Sequence, residues 1–325
     1  MMFSIGIDVG QKNLDIAVLR CADQKVVTTF KVENNQTGHQ QLIKQLRGFC
    51  DARVIFEATS SYHYGAVFAL RDAGLETIVV NPLITRKYTK SSIRKTKTDK
   101  EDSKLLARIG IVEAPDNLKI YLETKTQIQI KQLSKVIQKM KQERRIFIQK
   151  LNQEKIIDAE VIPLGSVCES LQTIIVTMGQ EIQKLTKELT RLAGEDAKLI
   201  ESIPGVGLET AAAIVAELGD LSRFKNKNQI TAFAGLDPSI RESGSSVRGR
   251  SHITKRGSAN LRCVLSHGAW GLMMHNPSFK EYYAKKKAEG KHYYSILTAI
   301  ARKLLILSYA LLKTRKTYTC QSQPT

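Results

Sequence analysis

A chain of 325 residues is long enough for two or three domains, and its 42% apolar and 25% charged residues exclude wholesale disorder and a collagen-like or mucin-like composition. Fifty Lys and Arg stand against 31 Asp and Glu, a net charge of +19, and 14 basic against 2 acidic residues from position 250 onward put +12 of it in the last quarter. A field of that kind favours phosphate backbones and makes nucleic acid the expected polyanion, a solvated basic surface being the plainer alternative.

The opening MMFSIGIDVG lacks the basic segment and small-residue cleavage site of a secretory leader. The longest apolar run, LLILSYALL, has nine residues, short of the roughly 18 that a spanning helix needs. A cytosolic location without a membrane span is expected. Cys21, Cys50, Cys168, Cys263 and Cys320 form no CxxC pair, so they are expected to be reduced and buried.

In chain order, FSIGIDV, LDIAVLR and VVTTFKV predict three strands joined by brief turns. RVIFE and LETIVV predict two more, separated by a helix around AVFALRDAG that Gly74 caps. Three strands in hairpin order, then strand, helix, strand, is the order of the ribonuclease-H-like fold. Downstream the period becomes a heptad. Ile130, Leu133, Ile137, Met140, Phe147 and Leu151 form one 3-4 seam, with Arg144 taking a seam position, and Leu171, Ile175, Met178, Ile182, Leu185, Leu189 and Leu192 form a second. Pro163 and Gly165 mark the bend between them. This predicts a coiled-coil hairpin, zipped to itself or to a second protomer, or a plain helical spacer. KLIESIPGVGLETAAAIVAELGD predicts helix, tight turn, helix. Gly205 and Gly207 in that turn permit a helix-hairpin-helix that offers backbone N–H groups to phosphate, although an ordinary packed turn fits as well. A short helix around QITAFAGL, a polar loop and three basic helices complete the chain. The boundaries drawn from these shifts are 1–112 for the α/β domain, 113–195 for the hairpin and 196–325 for the helical domain.

Two constellations carry chemistry. Asp8 interrupts an apolar strand and Glu57 ends another, and a buried carboxylate there requires compensation that a divalent cation would supply. Asp99 and Asp102, at i and i+3, share one helix face, and hard oxygen ligands of this kind suit Mg²⁺ or Mn²⁺ in phosphoryl transfer. The segment TDKED is also a capping box, with Thr98 and Glu101, so the helical pair has a purely local explanation as well. The second constellation is RESGSSVRGR, where Arg241, Arg248 and Arg250 could hold phosphate beside a serine nucleophile, with Lys255 and Arg256 just beyond. A flexible basic loop is the plainer reading. No P-loop, HExxH or dinucleotide fingerprint is present.

Taken in order, GIDVG, FEATSSY, KTDKEDSKLLA, SIPGVG, FAGLDPS and ESGSSVRGRSHITKRGSANLR resemble the DEDD transposases of the insertion-sequence family called IS one-ten, relatives of the Piv-type DNA invertases. The resemblance covers essentially the whole chain. It implies a RuvC-like domain holding Mg²⁺ through Asp8, Glu57, Asp99 and Asp102, then a coiled coil and a helical transposase domain. It further implies Ser243 as the nucleophile that links covalently to DNA, a structured bridge RNA that pairs with donor and target DNA, and homodimers assembling into a tetramer. The implied location is the bacterial cytoplasm, at the nucleoid. Two other classes remain open: a RuvC-like nuclease or junction resolvase using water, for which the serine loop is only a clamp, and a noncatalytic helix-hairpin-helix DNA-binding protein. An ATPase of the actin-like superfold lacks its second phosphate loop here.

Overall fold

The structure is a computed structural model that describes residues 2–49, 51–57, 61–80, 82–91, 99–113, 124–160, 162–239, 242–243, 247–248 and 252–319. It divides into two compact units, Met1–Leu122 and Glu123–Thr325.

In the first unit, β-branched runs form β1 (Phe3–Val9), β2 (Asn13–Arg20), β3 (Val26–Glu33), β4 (Ala52–Glu57) and β5 (Glu76–Val80). Their order in the sheet is β3-β2-β1-β4-β5, with β1, β2 and β3 antiparallel and β1, β4 and β5 parallel. This is the expected ribonuclease-H-like order. The parallel half buries both faces, as such strands must. Ile5, Ile7, Val54 and Phe56 pack on one side with Leu42 and Leu46 of α1 (Gln36–Leu46) and with Val67 and Leu70 of α2 (Tyr64–Asp72). On the other side Ile55, Ile78 and Val80 pack against Leu106 and Ile109 of α4 (Asp99–Val112), next to α3 (Pro82–Ser91). Helix α1, which no sequence signal above singled out, is capped by the Asn35 side chain accepting from the Gly38 N–H at 2.8 Å. Such a cap contributes about 1 kcal/mol. Gly74 closes α2 with φ +81, its own N–H and that of Leu75 bonding to Arg71 and Leu70, the C-terminal motif that was expected.

In the second unit α5 (Lys125–Glu160) and α6 (Gly165–Glu201) are two long helices that pack along one another. Ile130, Ile137, Ile182 and Leu189 of their seams join the main core, whereas Leu151, Cys168 and Ile175 form a separate cluster. Arg144, the polar seam residue, donates from Nε to the Ile175 carbonyl at 3.0 Å and lies over Gly179, where no side chain competes for the space. Helix α6 breaks at Gly194, with φ +53. The main core is completed by α7 (Leu208–Leu218), α8 (Lys227–Ala234), α9 (Ala259–His275), α10 (Pro277–Ala288) and α11 (Tyr293–Thr314). The nine-residue apolar run lies inside α11, whose 22 residues are long and apolar enough to cross a membrane by length and composition. Ten of them are buried, among them Ile300, Leu304 and Leu305 in this core.

Two expectations change. The polar loop after α8 carries short antiparallel ladders, β6 (Pro238–Ser239) with β9 (His252–Ile253) and β7 (Glu242–Ser243) with β8 (Val247–Arg248). Two-residue rungs have no room for the alternation that betrays a strand. Of the described cysteines, Cys168 is buried, Cys21 is half-buried and Cys263 is exposed, the last because it lies on the exposed stripe of α9 with His267, Trp270 and Met274.

Candidate active site

The end of the sheet at Val9 gathers the acids. Ser4, Gly6 and Asp8 share one face of β1, as do Ile55 and Glu57 on the neighbouring parallel strand, where Ile7 pairs with Phe56. Helix α4 lies across this face. Ser4 Oγ donates to the Ala107 carbonyl at 2.8 Å, while a Cβ on Gly6 would stand 2.0 Å from the Ser103 carbonyl oxygen and 2.4 Å from the Ala107 nitrogen. A Cβ on Gly110 would stand 2.5 Å from Ser4 Oγ and 2.6 Å from Ile55 Cγ1. The helix therefore runs antiparallel to β1 in near backbone contact, and its N-terminus lies toward Asp8 and Glu57. Asp102 sits one residue before the Gly6 contact. Asp99 is the first residue of α4, and its side chain lies outside the described residues.

Glu57 is oriented by Thr85 of α3, a buried hydroxyl in hydrogen-bond contact with the Glu57 carboxylate and, at 3.0 Å, with the Pro82 carbonyl. One hydroxyl proton can serve only one of the two. Asp8 and Asp102 are half-buried, and each is engaged in further interactions. A carboxylate of β2 joins them. Asp15 is the direct cross-strand partner of Asp8, is 9% exposed, and is paired with Lys31 Nζ at 3.2 Å. Like charges directly opposite are destabilising. The alternation of NLDIAVLR places Asp15 on a buried face, but only the register reveals what it opposes.

Asn34 braces the rim. Its Nδ2 donates to the carbonyls of Gly10, at 3.0 Å, and Tyr62, at 3.1 Å, tying together the segments that follow Asp8 and Glu57. His39 Nε2 lies 2.8 Å from Asn34 Oδ1, and burial lowers the His39 pKa below its usual value. Among the described residues no three His, Cys, Asp or Glu side chains close on a single point. The donor set of Asp8, Glu57 and Asp102 is nevertheless all carboxylate, the hard-oxygen chemistry that fits Mg²⁺ or Mn²⁺.

In the second unit Ser243 lies on β7, opposite Val247, in a hairpin nested beyond the Ser239–His252 rung. The side chains of Ser243 and Arg248 lie outside the described residues, as do Arg241 and Arg250. The base of this arm is firmly held. Thr254 Oγ1 donates to Asp237 at 2.6 Å, Arg262 Nη1 donates to the carbonyls of Ala234 and Gly257, and a Cβ on Gly257 would stand 1.9 Å from the Phe233 carbonyl oxygen. Buried Glu217 accepts from Ser258 Oγ at 2.7 Å and Asn260 Nδ2 at 2.6 Å, joining α7 to the start of α9. Lys255 and Arg256 are exposed at the foot of the arm.

The turn before α7 is packed as well as exposed. Gly205, with φ +97, faces the Gly271 carbonyl of α9, which a Cβ would approach to 2.6 Å, and Asn276 Nδ2 donates to the Pro204 carbonyl. Gly207 is exposed at the N-cap of α7, with nothing within 4 Å of the place of a Cβ.

Comparison with known proteins agrees with this order of parts. A DEDD-type transposase model of the IS110 group matches residues 5–156, and a model described as the transposase IS116/IS110/IS902 family matches residues 197–284. The pilin gene-inverting protein of Moraxella bovis is 27% identical over 97% of both chains. The transposase for insertion sequence element IS1111A of Coxiella burnetii is 27% identical over 97% of this chain and 91% of its own. Among solved structures, T. thermophilus RuvC in complex with a Holliday junction substrate has 15% identity and a TM-score of 0.25, over 34% of this chain and 98% of its own. With one transposase model on the acid-bearing region and another on the helical region that includes the serine arm, the chain belongs to the DEDD transposases of the IS110 family, enzymes that recombine DNA.

Proposed function

We propose that this chain exchanges strands between donor and target DNA through a divalent-metal site, formed by Asp8, Glu57, Asp99 and Asp102, and a covalent serine nucleophile, Ser243. The observation that carries the reading is the antiparallel course of α4 over β1, which brings the helix-borne acids to the sheet end that carries Asp8 and Glu57. Mg²⁺ or Mn²⁺ held there would act as a Lewis acid on a backbone phosphate and favour the alkoxide of the attacking hydroxyl.

The remaining roles belong to the chain. Thr85 fixes the Glu57 carboxylate, and Asn34 holds the two segments that follow Asp8 and Glu57. Ser243 Oγ loses its proton and forms a bond to phosphorus, the phosphodiester bond to one deoxyribose oxygen breaks, and that oxygen takes up a proton. Attack of a second strand's hydroxyl on the phosphoserine reverses these steps and conserves the bond energy. Arg241, Arg248 and Arg250 neutralise the charge that accumulates at phosphorus, while Lys255 and Arg256 contact flanking phosphates. Regions 1–112, 113–195 and 196–325 serve as metal domain, coiled coil and transposase domain. The coiled coil joins two protomers, which pair into a tetramer. The turn at Gly205 and Gly207 acts as a helix-hairpin-helix, its Gly207 side open to phosphate. A bridge RNA supplies the sequence readout by base pairing, which relieves the protein of reading bases itself. The names of its relatives, an invertase and a transposase, support this reaction class.

The test is recombination of a plasmid carrying the element's two junctions, in limiting Mg²⁺. Asp8→Asn and Asp102→Asn should each nearly abolish recombination while melting at the wild-type temperature or above. Wild-type recombination by either variant, at equal solubility, removes that residue from the site.

A further inference from the structure

Within the second unit, α5, the N-terminal half of α7 and α9 wall an open groove of about 970 Å³, and the α5 cations in it have no role above. Four cations of α5 line it: Lys135, Lys139, Lys141 and Arg145. Lys139 is paired with Glu143 at 2.6 Å and Lys141 with Glu209, whereas exposed Lys135 and Arg145 have no carboxylate partner among the described residues. Paired or not, such cations can exchange a carboxylate for a phosphate, because exposed ion pairs are weak.

The geometry points to a duplex-binding groove: we propose that it grips the sugar-phosphate backbone of a nucleic-acid duplex, independently of Ser243 and of the metal ligands. Two observations select this occupant. Lys135 to Arg145 spans ten helical steps, about 15 Å of α5, which matches roughly four phosphates of one strand at a 3.4 Å rise. The described lining contains no Phe, Tyr or Trp, so the stacking platform on which single strands are held is missing. The proposal rests only on the chain's acting on nucleic acid, as its family does. It does not depend on the covalent mechanism.

Exposed Cys263 lies in the groove wall and provides the readout. Full-length Ser243→Ala protein without divalent metal would be alkylated with iodoacetamide, alone and with 20-base-pair DNA duplex, RNA duplex or single-stranded DNA. Mass spectrometry then gives the rate at Cys263, with Cys21 as internal reference. A fall of at least fivefold at Cys263 with either duplex, and little change with the single strand, is expected. Whichever duplex protects names the source of the backbone. Lys135→Gln/Lys139→Gln/Arg145→Gln should lose that protection and lower the slope of log affinity against log salt by about 2.7, three contacts at ~0.9 each. The proposal is overturned by equal Cys263 alkylation with and without duplex, by protection that follows protein concentration alone, which would assign the groove to a second copy, or by an unchanged salt slope in the folded variant. Because nucleophile and metal are absent, failure here leaves the strand-exchange reading untouched. Loss of recombination by Ser243→Ala leaves the groove equally untouched.

Discussion

Replacing Gly6 with alanine tests whether the contact between α4 and β1 positions the acids. The new Cβ would stand 2.0 Å from the Ser103 carbonyl oxygen, 2.4 Å from the Ala107 nitrogen and 2.9 Å from the Leu106 Cβ, and the first two are backbone atoms that cannot rotate away. An ordinary contact starts near 3.4 Å, so α4 has to retreat by roughly 1.4 Å, the difference from 2.0 Å. Overpacking of this kind costs about 1–3 kcal/mol, and backbone partners put Gly6→Ala at the upper end. For a unit of this size that lowers the melting temperature by roughly 10 °C. The same retreat draws Asp102 away from Asp8 and Glu57. A displacement of about 1 Å in a catalytic array lowers rates by ~100-fold, so recombination should fall by about that factor and Mg²⁺ affinity by about tenfold. Thermal unfolding and calorimetric Mg²⁺ titration measure the two effects separately. Gly48→Ala is the control, since nothing lies within 4 Å of its Cβ. A Gly6→Ala protein that melts within 2 °C of wild type and binds Mg²⁺ equally well would refute the positioning argument.

Other outcomes follow from the same geometry. Asp15→Asn removes a negative charge opposite Asp8 and should weaken Mg²⁺ binding by about tenfold, or ~1.4 kcal/mol, without loss of fold; unchanged affinity by calorimetry would mean that Lys31 already cancels the charge. His39, whose pKa burial lowers, binds a proton more readily in the unfolded chain, so stability should be full above about pH 6.5 and fall as pH drops below it. His39→Gln should flatten that acid limb in pH-dependent urea unfolding, and an unaltered limb would assign it to other groups. Gly205→Ala combines a positive φ with a 2.6 Å approach to the Gly271 carbonyl and should destabilise the second unit by about 2–3 kcal/mol. Gly207→Ala, in open space, should stay within about 0.5 kcal/mol of wild type. Equal melting of these two variants would mean that the turn is not packed as described.

What the sequence disclosed and what it hid divides along local and non-local physics. The five strands were legible because β-branched runs bounded by turns are local, and Gly74 and the Pro163–Gly165 bend were legible for the same reason. Helix α1 escaped notice because its buried face consists of Leu42 and Leu46 with Gly38, too few apolar positions to set a period. The ladders of the serine arm escaped because two-residue rungs carry no alternation. Asp8 and Glu57 stood out as acids in apolar strands. Asp15 did not, since its importance lies in a register set by hydrogen bonds to β1, and neither did Thr85, which reaches Glu57 from 28 positions away. Gly6 was one glycine among 20 until the helix crossing it was visible. The exposure of Cys263 likewise depends on how α9 packs, which no cysteine count contains.

The central claim is a metal-assisted attack by Ser243. Incubating the protein with Mg²⁺ and end-labelled junction DNA, then resolving the mixture on a denaturing gel and sequencing the linked peptide by mass spectrometry, tests it most directly. The account predicts a phosphoserine at Ser243 that disappears in Ser243→Ala and in Asp102→Asn, while both variants still bind DNA, because one hydroxyl contributes little beside many phosphate contacts. An adduct on Ser245 or Ser246, an adduct that persists in Ser243→Ala, or DNA cleavage by Ser243→Ala at the wild-type rate would contradict it.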